Sequence, residues 1–363
     1  MKKVLFLVNH DVVIYNFRLE IVEKLLEERN EVYISSPYGE RIDDLIELGC
    51  TYIETPISRH GTNVMEDFKL LLHYRKIMKD ICPDVVLTFT IKPNIYGGMA
   101  CRSLKIPYIA NITGLGTAVE NAGLLQKITT LLYKVAFKNI DCIFFQNEEN
   151  QQFFIDQEIA LGRHELIPGS GVNLERFPIL EYPSDEVVRF VFISRIMKKK
   201  GIDQYLEAAE QIKRKYTNTE FHICGFCEET YEDILKDYED RGIIIYHGMV
   251  RNIVDILKIT HCTIHPTYYP EGMSNVLLES AACGRPVITT DRSGCREIVN
   301  EGKNGYIIKA KNEKMLISKI EEFLKLTLNQ KKRMGIKGRI KMENEFDRNV
   351  VVNSYVQKIY IKR

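Results

Sequence analysis

Residues 188–209 read V-R-F-V-F-I-S-R-I-M-K-K-K-G-I-D-Q-Y-L-E-A-A, and this stretch decides the fold class. Its first seven residues are a nearly continuous run of apolar, β-branched and aromatic side chains, which predicts a strand buried on both faces. A basic loop follows, and beyond Gly201 the apolar residues recur at helical spacing. A strand that leads through a short loop into a helix is typical of parallel α/β folds.

The same alternation runs through most of the chain. The predicted strands before this stretch are 3–8, 31–35, 51–54, 84–89, 107–112, 141–145 and 165–168, and those after it are 220–225, 242–247, 262–266 and 286–290. Helical patterns separate most of them, and a segment rich in proline and glycine, 168–183, interrupts the rhythm. We therefore predict two doubly wound, Rossmann-like domains facing across a cleft, with ligands at the carboxyl ends of the strands.

The length of 363 residues fits two domains. We predict a first domain at 1–167, a linker at 168–186 and a second domain at 187–345. The remaining residues, 346–363, are predicted to form a C-terminal helix that packs back toward the first domain.

The bulk composition excludes several protein classes. A net charge of +1 argues against a general nucleic-acid binder. Nine cysteines without framework spacing indicate reduced thiols. The apolar run at the N-terminus is too short for a signal peptide, and no stretch approaches the roughly 20 apolar residues of a spanning helix. The expected location is the cytoplasm, either in solution or peripherally on the cytoplasmic face of a membrane.

One block of the first domain is basic. Residues 71–140 carry 9 Lys+Arg against 3 Asp+Glu, and within them 124–138 has the pattern of an amphipathic helix with Lys127, Lys134 and Lys138. Two interpretations stay open. The favoured one is a domain helix that packs its apolar face on the sheet, and the other is a contact with a membrane surface.

The stretch Y-Y-P-E-G-M-S-N-V-L-L-E-S-A-A-C-G-R-P, residues 268–286, predicts a loop that enters a short helix. Ser274 as N-cap would leave backbone N–H groups for an anion, and Gly272, Met273 and Asn275 lie at the same turn. Glu271 and Glu279 bracket this helix end. Because carboxylates accept hydrogen bonds from vicinal hydroxyls, they can bind sugars on either side of a phosphate.

Other strand ends add to this interpretation. Arg195 and Lys200 share one strand-to-helix loop, and two such cations suit a diphosphate, although a solvated basic loop explains them equally well. Gly225, in C-G-F-C, allows a tight turn over a ligand, and this explains the motif better than a redox pair does. Val250 and Arg251 follow another strand, where backbone groups could meet a base.

Taken together, these motifs resemble the retaining glycosyltransferases of family 4, which have the GT-B fold. The resemblance rests on the two glutamates in E-x7-E, on S-R-x4-K-G at 194–201 and on G-S-G-V-N-L-E-R-F at 169–177. It implies that Arg195 and Lys200 hold the donor diphosphate, that Glu279 binds the nucleotide ribose, and that Glu271 faces the transferred sugar. Backbone groups around Met273, Ser274 and Asn275 would meet sugar hydroxyls and phosphate.

The first domain matches more loosely. V-N-H-D-V-V-I-Y-N-F-R-L-E-I-V, residues 8–22, resembles a subset that builds bacterial capsule, exopolysaccharide and lipid-linked oligosaccharide. The family's usual Gly-Gly is absent, and Thr113 stands where the family has a histidine. The residues expected on the acceptor side are Asn9, His10, Phe17, Arg18, Thr113 and Gly114.

The resemblance implies transfer of a hexose or N-acetylhexosamine from a nucleotide diphosphate sugar, with UDP as the favoured nucleotide. The acceptor would be a glycan or a polyprenyl-diphosphate-linked saccharide. No D-x-D motif follows a strand, so we expect neither a metal nor another cofactor. The alternatives are a UDP-sugar epimerase of the same fold and a non-catalytic subunit that binds sugar nucleotides.

Overall fold

The computed structural model describes residues 1–57, 63–116, 119 and 123–361. The chain forms two compact units, of which the first contains Met1–Ser170 with Asn349–Arg363 and the second contains Gly171–Arg348. Each unit is built on one sheet whose strand pairs are all parallel. The predicted fold class, two parallel α/β domains, is therefore confirmed.

The first unit contains a seven-stranded sheet in the order β3-β2-β1-β4-β5-β6-β7. Its strands are β1 (Lys3–Leu7), β2 (Glu31–Ser36), β3 (Thr51–Glu54), β4 (Val85–Phe89), β5 (Tyr108–Ile112), β6 (Cys142–Phe145) and β7 (His164–Leu166). Apolar clusters cover both faces of the sheet, as the continuous apolar strands require.

The helices of the first unit are α1 (Val12–Phe17), α2 (Leu19–Glu27), α3 (Ile42–Glu47), α4 (Val64–Ile81), a π-helical turn (Pro93–Gly97), α5 (Gly98–Leu104), α6 (Leu124–Ala136) and α7 (Glu148–Asp156). The last helix of the chain, α14 (Arg348–Tyr360), completes the core of this unit. Its Val351, Tyr355 and Ile359 are buried in the cluster that lies on β1, β4 and β6.

Helix α6 agrees with the favoured interpretation in part, since it packs on the core cluster of the unit through the buried Thr129, Thr130, Tyr133 and Ala136 and the partly buried Leu132. Its other large apolar residues Leu124, Leu125, Ile128 and Leu131 are exposed. The helix thus packs on the unit through a mixed face and leaves the more apolar stripe exposed. None of the helices within the described ranges has both the length and the hydropathy to cross a membrane.

The second unit contains a six-stranded sheet in the order β10-β9-β8-β11-β12-β13. Its strands are β8 (Val188–Ile193), β9 (Thr219–Cys224), β10 (Ile245–Tyr246), β11 (Cys262–His265), β12 (Val287–Thr290) and β13 (Gly305–Ile308). Its helices are a 3₁₀ turn (Lys198–Lys200), α8 (Ile202–Lys215), α9 (Glu232–Asp240), α10 (Ile253–Ile259), α11 (Asn275–Ala282), a second 3₁₀ turn (Arg296–Ile298), α12 (Glu313–Leu324) and α13 (Leu328–Glu345). Strand β13 was not predicted from the sequence.

The segment 168–186 was expected to be a linker, but its residues 171–186 belong to the second unit. Val172 and Phe177 are buried in its core. The hydroxyl of Tyr182 donates to the carbonyl of His261 at 2.8 Å. The buried guanidinium of Arg285 donates to the carbonyls of Leu180 and Glu181, which satisfies this stretch of backbone.

Candidate active site

The candidate site of the second unit lies where the strand order reverses. Strands β8 and β11 are neighbours in the sheet although two strands and three α-helices separate them in the sequence. The loop after β8, residues 194–201, and the loop after β11, residues 266–274, therefore leave the sheet side by side. In open α/β sheets this position at the carboxyl edge is where ligands bind.

Close backbone contacts join the two loops. The N–H of Tyr268 donates to the carbonyl of Lys199 at 2.9 Å. Gly201 has φ +85°, and a Cβ there would lie 2.2 Å from the carbonyl oxygen of Pro266. Only glycine fits this approach, which places Lys200 directly beside the second loop.

Lys200 and Glu271 form an ion pair between the two loops. The Lys200 ammonium contacts Oε1 of Glu271, and the two side chains are 10% and 16% exposed. Burial raises the pKa of the Glu271 carboxyl, but Lys200 and His265 more than reverse this effect and lower it to about 2. Glu271 is therefore a carboxylate at every physiological pH and its charge is matched by an adjacent cation.

His265, the last residue of β11, lies beneath this pair. Its Nε2 is 3.9 Å from Oε1 of Glu271, and the side chain is buried. Burial lowers the pKa of the imidazole, although the Glu271 carboxylate opposes the shift. The ring is therefore neutral at pH 7 and leaves Lys200 as the cation that faces Glu271.

Arg195 is held next to Lys200 by an aromatic ring. Its guanidinium carbon lies 5.4 Å from the ring centre of Tyr269, and the Lys200 ammonium lies 4.9 Å from the same centre. Arg195 also donates to Oε1 of Glu228 at 3.0 Å. Stacking on one ring brings two cations together despite their repulsion and fixes them over the loop that carries Glu271.

The N-terminus of α11 provides backbone donors at this place. Ser274 is the N-cap, and its side chain makes no capping hydrogen bond. The Ser274 N–H donates to the carbonyl of Gly294 at 2.8 Å, and a Cβ on Gly294, at φ +83°, would lie 2.5 Å from the carbonyl oxygen of Gly272. The loop after β12 thus packs closely against the Gly272–Ser274 turn and fixes the direction of the N-terminus of α11. Met273, within this turn, is buried.

Asn275 and Glu279 lie on the first two turns of α11. The buried Oδ1 of Asn275 has no hydrogen-bond partner among the described residues. Burial raises the pKa of the Glu279 carboxyl to about 7, although Arg348 and Arg176 oppose the shift. The Glu279 carboxyl is therefore partly ionised at neutral pH, and its ionised form can accept hydrogen bonds from a hydroxyl pair.

Three further predicted residues lie on neighbouring loops of the second unit. Gly225 directly follows β9 with φ +142°, and its N–H donates to the carbonyl of Gly248 at 2.8 Å. A Cβ there would lie 1.8 Å from the carbonyl oxygen of Ser194, so glycine is required. Val250 is partly buried and Arg251 is exposed, between β10 and α10.

The residues predicted on the acceptor side all lie in the first unit. Asn9, His10, Phe17 and Arg18 follow β1, while Thr113 and Gly114 follow β5. His10 contacts Asp11 at 2.7 Å. Arg18 is buried, with its guanidinium over the rings of Phe89 and Tyr355, and it donates to the carbonyl of Phe17 at 2.6 Å. Arg18 therefore anchors this segment in the core of the unit.

Sequence reasoning missed several residues of the site. Tyr269, His265, Gly294 and Glu228 belong to it through geometry. Tyr269 lies in the quoted stretch 268–286 but was given no role there, and the other three fall in no motif that would identify them. The position of His265 at the end of a buried strand was the only available signal. Among the described residues, no three His, Cys, Asp or Glu side chains are arranged to hold a metal ion.

Comparisons with known proteins agree with this geometry. Residues 3–147 match a family model described as glycosyl transferase 4-like, and residues 177–341 match one described as glycosyl transferases group 1. The chain is 27% identical to the N,N'-diacetylbacillosaminyl-diphospho-undecaprenol alpha-1,3-N-acetylgalactosaminyltransferase of Campylobacter jejuni, over 98% of this chain and 97% of the relative.

Two more distant likenesses point the same way. The UDP-Gal:alpha-D-GlcNAc-diphosphoundecaprenol alpha-1,3-galactosyltransferase of Escherichia coli is 25% identical over 76% of this chain and 74% of its own length. The fold resembles that of HepE from Anabaena, crystallised with UDP, with a TM-score of 0.80 at 14% identity over 99% of each chain. Because both halves match family models and the motif residues meet at one sheet edge, this chain belongs to the family 4 glycosyltransferases, which have the GT-B fold.

Proposed function

We propose that the chain transfers a hexose or N-acetylhexosamine from a UDP-sugar to a polyprenyl-diphosphate-linked saccharide or related glycan, with retention of anomeric configuration. The observation that carries the proposal is the cluster of Lys200, Arg195 and Glu271 at the uncapped N-terminus of α11. The two cations and the helix N-terminus can bind a diphosphate, and the ionised carboxylate beside them can bind a sugar.

The cations and the helix end stabilise the leaving group. The bond between the anomeric carbon and the diphosphate oxygen breaks, and its electron pair stays on the diphosphate. Lys200 and the backbone donors of α11 meet the charge that develops there, and Arg195 adds a second cation. The loops that carry these groups are joined by backbone contacts before substrate arrives, so little reorganisation of the loops is needed during the reaction.

Glu271 stabilises the other product of the cleavage. The sugar becomes oxocarbenium-like, and a carboxylate with a pKa of about 2 keeps its negative charge next to it. The acceptor hydroxyl then bonds to the anomeric carbon from the face that the diphosphate leaves, and its proton passes to a diphosphate oxygen. Attack from that face would retain the anomeric configuration, and the alpha-1,3 linkages in the names of the two relatives support this proposal.

The donor nucleotide occupies the rest of the site. Glu279 accepts hydrogen bonds from the ribose hydroxyls, and the loop with Val250 and Arg251 meets the base. The name of the E. coli relative supports UDP as the nucleotide. We propose that no metal is needed, since Lys200 and Arg195 supply the positive charge that a divalent ion would otherwise bring.

The acceptor is proposed to be lipid-linked, because both relatives are named for diphospho-undecaprenol substrates. Residues Asn9, His10, Thr113 and Gly114 are the candidates for its contacts in the first unit. A lipid-linked acceptor lies in a membrane, so the protein is proposed to work peripherally at the cytoplasmic face.

The test begins with thermal-shift measurements on a set of UDP-sugars, followed by hydrolysis and transfer assays of those that bind. Lys200→Met should lower kcat by about 100- to 1000-fold with a smaller change in KM, the range for loss of one transition-state donor. Lys331→Met is the matched control, since Lys331 is also a buried lysine paired with a carboxylate, Asp185. It should cost stability but leave kcat unchanged.

Four results would contradict parts of the proposal. A product of inverted configuration in proton NMR would refute retention. Loss of turnover on chelation, with recovery on adding a divalent ion, would refute metal independence. An isomerised UDP-sugar without transfer would establish an epimerase, while UDP-sugar binding without turnover would establish a binding subunit.

A further inference from the structure

His265 is a buried imidazole without a hydrogen bond. Its side chain is 1% exposed, and neither ring nitrogen has a hydrogen-bond partner among the residues that the structure describes. Because one nitrogen of a neutral ring always carries a proton, an N–H donor is buried here without compensation for its lost contact with water. Buried polar groups are normally paired in folded proteins, so this exception calls for a physical explanation.

A partner for this ring lies just out of reach. Nε2 of His265 is 3.9 Å from Oε1 of Glu271, which is about 1 Å longer than an ordinary N–H···O hydrogen bond. The same oxygen contacts the Lys200 ammonium in the ion pair between the two loops. Two donors therefore converge on one carboxylate oxygen, and in the free enzyme the lysine holds it.

The donor diphosphate competes with Glu271 for that lysine. In the proposed reaction Lys200 and Arg195 bind the diphosphate, which carries more negative charge than a single carboxylate. When the ammonium turns toward the diphosphate, the buried Glu271 carboxylate loses its adjacent cation. Loss of a cation raises the pKa of a buried carboxyl group. Protonation would then remove the charge that stabilises the oxocarbenium-like sugar.

We propose that His265 is a positioning residue that takes over the Glu271 carboxylate when the donor diphosphate draws Lys200 away. In the donor complex, the Nε2–H of His265 donates to Oε1 of Glu271, and Nδ1 is the acceptor nitrogen of a neutral ring. The inference rests on the proposed function and deepens it, because it states how Glu271 stays ionised and directed at the sugar. His265 acts through Glu271 and not on the substrate itself.

The surroundings confine this exchange to side chains. A Cβ on Gly294 would lie 3.2 Å from Cβ of Glu271 and 2.5 Å from the carbonyl oxygen of Gly272, so the loop after β12 packs tightly on the backbone at Glu271. His265 is held by the sheet, where its carbonyl accepts from the hydroxyl of Thr289 at 2.8 Å. The Glu271 carboxylate, at the end of two methylene groups, can cover about 1 Å by rotation of its side chain.

The other titratable neighbours of Glu271 do not replace His265. Cys295 lies on the loop after β12, and burial together with the Glu271 charge raises the pKa of its thiol. The thiol is therefore neutral, and it is only a weak donor. Arg195 already donates to Oε1 of Glu228 at 3.0 Å. Of these groups, His265 is the one that remains as a donor once the lysine has turned away.

The first test measures the pH dependence of UDP-sugar hydrolysis in His265→Leu and His265→Gln. Leucine has no donor, whereas the amide of glutamine can place an N–H near the position of Nε2. Since kcat reports groups in the substrate complex, its acid limb should move up by about one to two pH units in His265→Leu, the equivalent of one hydrogen bond to a charged group. The acid limb of kcat/KM reports the free enzyme, in which Lys200 still holds Glu271, and should move less. His265→Gln should restore the wild-type profile.

His261→Leu is the matched control, because His261 is a second buried histidine at the other end of the same strand. Its ring accepts from the N–H of Arg189 at 3.0 Å and lies 2.9 Å from the carbonyl oxygen of Ser184. The control should lose stability and leave both pH profiles unchanged. An unchanged kcat profile in His265→Leu, an equal displacement in His261→Leu, or no restoration in His265→Gln would overturn the proposal.

Nitrogen NMR of the histidine rings tests the exchange without turnover and without a folding risk. Saturating UDP should move the Nε2–H proton of His265 downfield and slow its exchange with water. Lys200→Met should do the same without any ligand, because it removes the cation that holds Oε1 of Glu271. A His265 signal that neither change alters would overturn the inference.

The same measurements separate this inference from the proposed function. If UDP does not bind, or binds without turnover of any UDP-sugar, the proposed reaction fails, while the NMR response of His265 in Lys200→Met still supports the exchange. If UDP-sugars turn over but the His265 signal and the kcat profile of His265→Leu stay unchanged, the exchange fails and the proposed reaction stands.

Discussion

Replacing Glu271 by glutamine should destabilise the second unit by an amount that depends on pH. The substitution keeps the size of the side chain but leaves the nearly buried Lys200 ammonium without its carboxylate. The pKa of Glu271 lies at about 2 instead of the usual 4.5. At about 1.4 kcal/mol per pKa unit, this difference corresponds to about 3 kcal/mol at pH 7.

The sign follows from linkage. Because the folded-state pKa is depressed, the ion pair contributes its full stability above pH 4.5 and loses it as the pH falls toward 2. The difference between wild type and Glu271→Gln should therefore shrink to less than about half of its neutral-pH value at pH 3. At neutral pH, the Glu271→Gln substitution should lower the unfolding temperature of the second unit by roughly 6–12 °C.

Urea unfolding at pH 7, 5 and 3, followed by far-UV circular dichroism, measures the effect. Glu228→Gln is the control in the same unit, since it breaks the ion pair between Glu228 and Arg195. Both side chains of this pair are about a third exposed. That pair should contribute less than about 1 kcal/mol. The double variant Lys200→Met/Glu271→Gln should recover much of the loss, because no charge is left unpaired. Equal stability of Glu271→Gln and wild type at pH 7, or a difference that does not change down to pH 3, would refute the reasoning.

Two further predictions concern the donor side. Gly225→Ala should destabilise the second unit by more than about 3 kcal/mol, because the added Cβ would overlap the Ser194 carbonyl. The control Gly242→Ala, at φ +68° with open space around it, should cost only about 1 kcal/mol. Equal urea midpoints of the two variants would contradict this prediction. Burial sets the pKa of Glu279 at about 7, so the carboxylate forms between pH 6 and 8. Affinity for uridine, which has no titrating phosphate, should rise several-fold over that range by calorimetry and stay flat in Glu279→Gln.

The two sheets were predictable because buried parallel strands are continuous apolar runs, as in V-R-F-V-F-I-S. The same reasoning placed Arg195 and Lys200 on one loop and Ser274 at the N-cap of α11, where the structure has them. It missed β13, a four-residue strand whose G-Y-I-I is too short to stand out. Short apolar runs are ambiguous by periodicity alone.

Other features depend on packing that a linear pattern does not contain. The amphipathic pattern of α6 is the same whether its leucines face the sheet or solvent, and the buried Tyr133 and Ala136 decide the matter in three dimensions. Tyr269 became part of the site only because Arg195 and Lys200 both approach its ring. His265 joined it because β11 ends directly beneath Glu271.

The place of α14 has a consequence for the order in which the protein is made. Tyr355 fills the space between Phe89, Phe144 and Arg18, and its hydroxyl accepts a hydrogen bond from the side-chain amide of Asn111. The ribosome releases this residue only after the whole second unit has been synthesised. The core of the first unit can therefore be completed only after the second unit, an uninterrupted insertion in it, has been synthesised.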